Sequence, residues 1–206
     1  MGKRKFENKA KPLIAPSAVV SPRARLGPGV VVWNYVQVRE DAMIGGGSIL
    51  GNGVYVDKSV RIGKRVVIQN KVSVYRGVEI EDEVFIGPHV CFTNDLWPDA
   101  RTIRPIHGVL ARIGKGAVIG GNVTILPDVS VGAYALVGAG SVVTQSVPSH
   151  ALVVGNPARM KRFICRCKKT LHFQAETARA VKLRCRNCRL IVRVAREHYD
   201  RFLRER

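Results

Sequence analysis

The chain has 206 residues, 46% of them hydrophobic, 6% aromatic and 20 of them glycine, with a formal net charge of +19. That length suits one main domain plus an appendage, and few aromatics with many glycines disfavour a helical bundle and favour short strands joined by tight corners. No apolar run approaches the ~20 residues that a membrane span needs. Residues 1–13 form a basic segment with Lys3, Arg4, Lys5, Lys9 and Lys11 and no apolar stretch to act as a signal peptide. A cytoplasmic protein is therefore expected, its 5 cysteines reduced or metal-bound. The charge is uneven: residues 161–206 hold 15 Lys/Arg against 4 Asp/Glu, which is +11 of the +19. A basic balance favours anionic partners without choosing among nucleotides, phosphates, nucleic acid and membrane surfaces.

Stepping by six from Ile14 meets an aliphatic residue at every position to Ile86, then Phe92. The phase is lost for about 20 residues and returns from Ile113 through Ile119, Ile125, Val131 and Val137 to Val143. A second line four residues on, from Ala18 to Val147, holds only small or β-branched residues, and glycine follows the first line in nine of its 20 positions. Neither a 3.6- nor a 2-residue period fits, so this is neither one long helix nor one ordinary strand. A period of six with one inward residue implies a short strand and a corner. Three such units close a triangular coil of 18 residues, and coils stack at the parallel-strand spacing of about 4.8 Å. The glycines are expected to relax the corners. The fold class is thus all-β: a left-handed parallel β-helix of about six to seven coils, over residues 14–160, with a small C-terminal appendage. The 18-residue stacking also predicts two ladders, Asn34–Asn52–Asn70 and Lys58–Arg76–Asn94, the first of them structural.

The repeat is interrupted by a loop over residues 93–112, which contains Asn94, Asp95, Trp97, Asp99, Arg101, Arg104 and His107. A long irregular loop in a strict solenoid is usually functional; the alternative is a loop that packs on a neighbouring subunit. The stretches from Ile68 to Val78 and from Ile86 to Pro98 resemble the hexapeptide acetyltransferases that N-acetylate nucleotide-linked 3-amino sugars. Gly120 to Pro127 and Val153 to Arg159 resemble hexapeptide acyltransferases more widely. The resemblance implies a homotrimer that joins acetyl-CoA and a nucleotide-linked amino sugar (3-amino-3-deoxyhexose or hexuronate) in clefts between subunits, for surface polysaccharide synthesis. It assigns Gln69, Asn70, Tyr75, Arg76, Asp95 and Trp97 to the sugar nucleotide, and Gly120, Gly121, Ala139, Arg159 and Lys161 to the coenzyme. Family members commonly carry Glu where this chain has Arg76, so an acidic partner for the incoming amine is missing from that corner; Arg76 either binds a carboxylate or phosphate or is a solvated surface charge.

Acetyl transfer from a thioester to an amine needs a neutral amine, an oriented thioester and an oxyanion stabiliser. Asn94 suits the orienting role, and backbone N–H groups near Gly120 and Gly121 suit the oxyanion. His107 and His89 are rival bases, and His150 a coenzyme contact; each is also readable as an ordinary surface histidine. Two histidines lack the third partner of a catalytic zinc site. Cys91, beside the core line, reads as a packed thiol.

Residues 161–206 carry Cys165-Arg-Cys167 and Cys185-Arg-Asn-Cys188. Paired cysteines at this spacing read as a structural four-cysteine Zn2+ ribbon, with metal-free cysteines as the alternative. Leu190–Ala195 reads as a strand and Glu197–Arg206 as a basic helix. A second class of function remains open: a non-catalytic solenoid whose basic tail binds nucleic acid. So does another acyl transfer, to oxygen or a different small acceptor.

Overall fold

The computed structural model describes residues 10–101 and 108–205. It is a parallel β-solenoid with three faces. Two-residue strands repeat along the chain and pair with the strand one coil away: Val67–Ile68 lies between Ile49–Leu50 and Phe85–Ile86. The first face starts at Leu13–Ile14, the second at Val19–Val20 and the third at Arg25–Leu26. The aliphatic line points inward and is buried; Leu50, Ile68, Ile86, Phe92, Ile113, Ile119 and Ile125 are all fully enclosed. The second line fills the inner corners, where Val36, Val54, Val72 and Ala117 are equally buried.

The coil count runs beyond the six-residue count. Seven coils are complete and an eighth begins at Ala151–Val154. The reason is one shortened corner: Val147, only four residues after Val143, bridges Val131 and closes the seventh coil. Counting by six cannot see that step.

The corners also work differently from the sequence expectation. At the corners from Gly29 to Gly140, apart from the long loop, the residue three after the inward line has a positive φ, whether glycine or not: Tyr35 58°, Lys71 58°, His89 58°, Asn122 56°. A left-handed conformation costs a non-glycine residue about 1–2 kcal/mol. It persists because it aims the N–H at the coil below, as His89 N does at Asn70 O (3.0 Å) and Lys71 N at Asn52 O (2.9 Å). The glycines directly after the inward line have no positive φ. They are there for clearance: a Cβ on Gly45 would lie 2.5 Å from the Gly63 carbonyl carbon, and one on Gly120 2.5 Å from Ala139 N. The first predicted ladder is realised as a hydrogen bond, Asn52 N–H donating to Asn70 Oδ1 (2.9 Å). Asp82 does the same for Lys64 N–H (2.7 Å).

The strand Arg159–Phe163 turns back antiparallel on Ala151–Val154 and so runs across residue 160. A three-stranded antiparallel sheet follows, Leu171–Glu176, Ala180–Cys185 and Ile191–Ala195, then the helix Arg196–Glu205. The helix folds back on the last coil. Phe163 stacks on Tyr199 (6.1 Å) and meets Phe202 edge-on (5.6 Å). Glu205 accepts from Met160 N (2.6 Å), and Arg201 donates to Ser146 O (3.0 Å). The tail thereby covers the open end of the solenoid core.

Two glycine substitutions separate clearance from backbone freedom. Gly140 has φ 69° and open space where a methyl group would stand, whereas Gly45 has ordinary φ and no space. Gly140→Ala should cost about 1 kcal/mol and Gly45→Ala about 2–3 kcal/mol. Denaturant melts of the two variants check the order.

Candidate functional site

The sequence-predicted residues fall on two edges of the prism, on either side of the second face. The first edge, between the first and second faces, carries Gln69 and Asn70 on the fourth coil, Gly120 and Gly121 on the sixth and Ala139 on the seventh. Above them the turn at Gly155–Ala158 is tied to this edge: Val142 N donates to Gly155 O (3.0 Å), Ala158 N to Val142 O (2.8 Å) and Gly155 N to Ser141 Oγ (3.1 Å). Arg159 and Lys161 follow it, both exposed.

The backbone of this edge offers hydrogen-bond donors. Each corner has three N–H groups after the inward residue, or two where Pro16 or Pro88 stands second. The first bonds to the coil above and the third to the coil below. The second bonds only when a neighbouring coil supplies a side-chain acceptor, as Asn70 does for Asn52. Pro88, Gly121 and Ala139 supply none. Among the described residues, the N–H groups of Asn70, Gly121 and Ala139 have no partner within the chain. Gly120 is different: its N–H is spent on Val137 O (2.8 Å). Gly120 therefore gives clearance, and Gly121 is the available donor of the pair.

The second edge, between the second and third faces, carries Tyr75 and Arg76 on the fourth coil and Asn94, Asp95 and Trp97 on the fifth, where the loop leaves. Thr93 is still fastened to the solenoid, its N–H bonding to Ile125 O (2.9 Å). Asn94 is thus held by a rigid coil and half-buried. Asp95 starts an Asx turn by accepting from Trp97 N (2.8 Å), and the Trp97 ring is exposed. His107 and Arg104 lie outside the described residues.

Asp95 apart, sequence reasoning placed no acid at this corner. The structure corrects that: Asp57, one coil below Tyr75, accepts from Arg76 N (3.2 Å), Lys58 N (2.7 Å) and Tyr55 OH (3.3 Å). Tyr55 in turn packs on Tyr75 (5.9 Å) and accepts from Arg39 (3.5 Å). The 18-residue rule puts Asp57 under Tyr75, so the signal was in the sequence. Arg76 is half-buried, and its Nε is buried with no acceptor among the described residues. An orphaned donor on a cation is costly unless an anion arrives to meet it.

The other candidates sort by environment. His89 is an exposed corner residue on the first edge. Cys91 lies on the second face, where burial pushes its thiol up, away from a nucleophilic thiolate. His150 stacks on Tyr134 (5.3 Å), and its Nδ1 lies 2.9 Å from Ile164 O, a contact that fastens the tail. A hollow of about 530 Å³ lies on the third face against Arg25, Met43, Arg61 and Arg112, away from both edges.

In the tail, the Sγ atoms of Cys165, Cys167, Cys185 and Cys188 all lie within 4.8 Å of one another, with 3.4 Å between Cys165 and Cys188 and 3.5 Å between Cys167 and Cys185. Four thiolates 2.3 Å from a tetrahedral Zn2+ stand about 3.8 Å apart, so the cluster fits that ion. The backbone N–H of Lys169 pulls the Cys167 thiol down to about 6, which makes it a thiolate at neutral pH; burial pushes Cys165 up to about 12, a cost a metal would remove.

This architecture defines a hexapeptide-repeat β-solenoid. Residues 111–145 match the family model described as bacterial transferase hexapeptide (six repeats). Among curated proteins, a 61-residue stretch is 51% identical to the dTDP-3-amino-3,6-dideoxy-α-D-galactopyranose 3-N-acetyltransferase of Aneurinibacillus thermoaerophilus, covering 30% of this chain and 32% of that protein. A 51-residue stretch is 55% identical to serine acetyltransferase 2 of Arabidopsis thaliana, covering 25% and 16%. The matches thus span a third or less of these relatives. Among solved structures, perosamine N-acetyltransferase from Caulobacter crescentus, bound to CoA and GDP-perosamine, is 28% identical with a TM-score of 0.48, covering 74% of this chain and 57% of that one. A hexapeptide-repeat acetyltransferase from Vibrio cholerae bound to acetyl coenzyme A is 33% identical with a TM-score of 0.48, covering 60% and 70%.

The state of His150 has a pH signature. Burial holds its imidazole below the ordinary value, ahead of the opposing pull of the Ile164 carbonyl. The unfolded chain therefore takes up this proton first. The contribution to stability is complete above about pH 6.5 and is lost as pH falls below it. Melting temperatures should drop between pH 7.5 and 5.5, and less so in His150→Asn.

Proposed function

We propose that the protein is an acetyl-CoA-dependent N-acetyltransferase that acts on a nucleotide-linked amino sugar. The observation that carries this reading is the division of the candidate residues between two edges. One edge offers a row of uncommitted N–H donors at Asn70, Gly121 and Ala139, leading to Arg159 and Lys161. The other offers a rigidly held Asn94, the orphaned Arg76 and the loop with Trp97. The half-identical stretch in a 3-amino-sugar N-acetyltransferase supports the reaction and the substrate class. The comparable match to a serine acetyltransferase favours, as a second reading, O-acetylation of a small acceptor.

In the proposed reaction the coenzyme runs along the first edge, with its phosphates near Arg159 and Lys161. The Gly121 N–H stabilises the oxyanion as the amine attacks the thioester carbonyl, and Asn94 fixes the amine against that carbonyl. Arg76 holds a carboxylate or phosphate of the sugar nucleotide, while Gln69, Tyr75, Asp95 and Trp97 shape its cleft. A base is optional, because the amine proton can leave with the sulfur; His107 is the rival. Residues 14–160 form the acyltransferase domain with its loop at 93–112, residues 161–206 a tail closed by one structural Zn2+, and residues 1–13 a basic N-terminal segment. The setting is cytoplasmic surface-polysaccharide synthesis.

A homotrimer follows from the same reading, because one chain holds the two edges apart. The outward positions of the first face support it. Leu13, Val31, Ile49, Val67, Phe85, Val118, Leu136 and Leu152 form an unbroken apolar stripe, whereas the third face shows Arg25, Arg61, Glu79 and Arg112. Such a stripe on a water-soluble solenoid is a contact surface.

Three outcomes are expected. Asn94→Ala should lower turnover by about 10²–10³-fold and keep the shape of the pH–rate profile, since no titrating group is removed; near-normal turnover in this variant with loss in His107→Asn would assign the chemistry to histidine. Light scattering should give three chains per particle, and Leu136→Arg should dissociate it. Protein purified without added zinc should carry about one Zn2+ per chain, and chelation should loosen the tail while the solenoid stays folded.

A further inference from the structure

The first edge carries side chains that the proposed coenzyme path does not use. That path takes the upper coils, whereas the corner of the second coil holds Trp33, Asn34 and Tyr35. Trp33 is 48% exposed and Tyr35 66%. The backbone beneath the rings is tied down: Tyr35 N donates to Ser17 Oγ (3.3 Å), Ser17 Oγ to Asn34 Oδ1 (3.1 Å) and Gly53 N to Asn34 O (2.9 Å). Among the described residues, the Asn34 N–H, its side-chain NH2 and the side-chain amide of Asn52 have no partner. Two exposed rings beside uncommitted amide donors and acceptors can stack on a nucleobase and read its edge.

Above this corner the charge turns positive. Lys71 leans down from the fourth coil: a Cβ on Gly53 would lie 2.9 Å from its Cδ and 3.0 Å from its Nζ, so the ammonium stands at the height of the third coil, one coil above Tyr35. On the second edge Lys58 stands on the third coil, Arg76 with its orphaned Nε on the fourth and Asn94 on the fifth. Among the described residues, neither Lys58 nor Lys71 takes part in an ion pair; Glu40, one coil below Lys58, is held by Arg39 (3.0 Å).

In a trimer whose axis runs along the solenoid, like coils stay level. The first edge of one chain then meets the second edge of its neighbour at equal height. From the second coil upward the shared cleft offers rings, ammonium groups, a guanidinium and an amide. A sugar nucleotide offers a base, a diphosphate, a sugar and an amine in the same order. The three coil spacings from Trp33 to Asn94 come to about 14 Å, a distance that a ribose, a diphosphate and a hexose bridge between base and amine. The adenine of the coenzyme belongs elsewhere, because a thioester at Gly121 sends the rest of that molecule upward to Arg159 and Lys161.

We propose that the Trp33–Tyr35 corner is the base subsite of the sugar nucleotide, with Lys71 of the same chain and Lys58 of the neighbouring copy on its diphosphate. The inference rests on the acetyl-transfer reading and on the trimer.

The test uses the full chain labelled with 5-fluorotryptophan. Its 2 tryptophans give two fluorine resonances, and Trp33→Phe identifies that of Trp33. UDP, dTDP and GDP are added one at a time. At least one should shift the Trp33 resonance, and coenzyme A alone should not. For that nucleotide, calorimetry should show binding weakened about tenfold by Trp33→Leu, about fivefold by Tyr35→Leu and by no more than about threefold in Trp33→Phe, which keeps a ring. Lys71→Gln should weaken it and flatten its salt dependence. Trp33→Leu should keep the particle size and the affinity for coenzyme A. A nucleotide that binds without moving the Trp33 resonance and is indifferent to Trp33→Leu overturns the base subsite and leaves the acetyl-transfer reading standing. A shift produced by coenzyme A alone, or a particle that dissociates in Trp33→Leu, gives the ring to another contact and overturns it as well. Binding of coenzyme A with none of the three nucleotides overturns the sugar-nucleotide reading itself, and this inference with it.

Discussion

Neighbouring coils of this solenoid stand one parallel-strand spacing apart, about 4.8 Å, and the remaining features follow from that distance. It is too short for a Cβ at Gly45 or Gly120, which would meet backbone of the next coil at 2.5 Å. It brings inward residues into register 18 apart, so Ile68 rests between Leu50 and Ile86. It also lets a corner side chain reach the coil below, as Asn70 does to Asn52. Where the ladder passes through Pro88, Gly121 and Ala139, no side chain can reach, and donors remain for a ligand. Rigidity and binding capacity thus come from one geometric constraint.

The same constraint fixes what one chain cannot do. The second face keeps the Gly121 edge and the Asn94 edge on opposite sides of itself. Under the proposed reaction, bringing a thioester on one edge to an amine on the other would take a second copy, for which the apolar stripe of the first face offers a surface. The tail adds a third element: Phe163, Tyr199, Phe202 and Glu205 close the end of the core, so the cysteine cluster is held against the solenoid.

Much of the fold was legible, because the six-residue period is strict and its inward positions are chemically uniform. The period also misled in two places. Val147 follows Val143 by four residues, so a fixed step loses the last coils. The glycines after the inward line look like conformational devices, yet the strained φ values sit two residues later, on Tyr35, Lys71 and His89. The site was legible in part. Asn94, Arg76 and Tyr75 meet at one corner because stacking by 18 is a property of sequence. Asp57 obeys the same rule and was overlooked because it lies one coil outside the motif. The first-face stripe was equally readable one position before the inward line. That Gly120 and Gly121 differ in hydrogen bonding was not readable, since both are simply glycines until the coil above is in place.

Subunit complementation tests the division of one site between two edges most directly. Ala139→Trp, at an exposed corner position, blocks the first edge; Asn94→Ala disables the second. Each variant alone should turn over acetyl-CoA and a nucleotide-linked amino sugar poorly. Unfolded together and reassembled, the two should regain turnover, because some mixed particles pair an intact first edge with an intact second edge from different chains. A mixture no more active than the separate variants would contradict the account and place the whole site within a single chain.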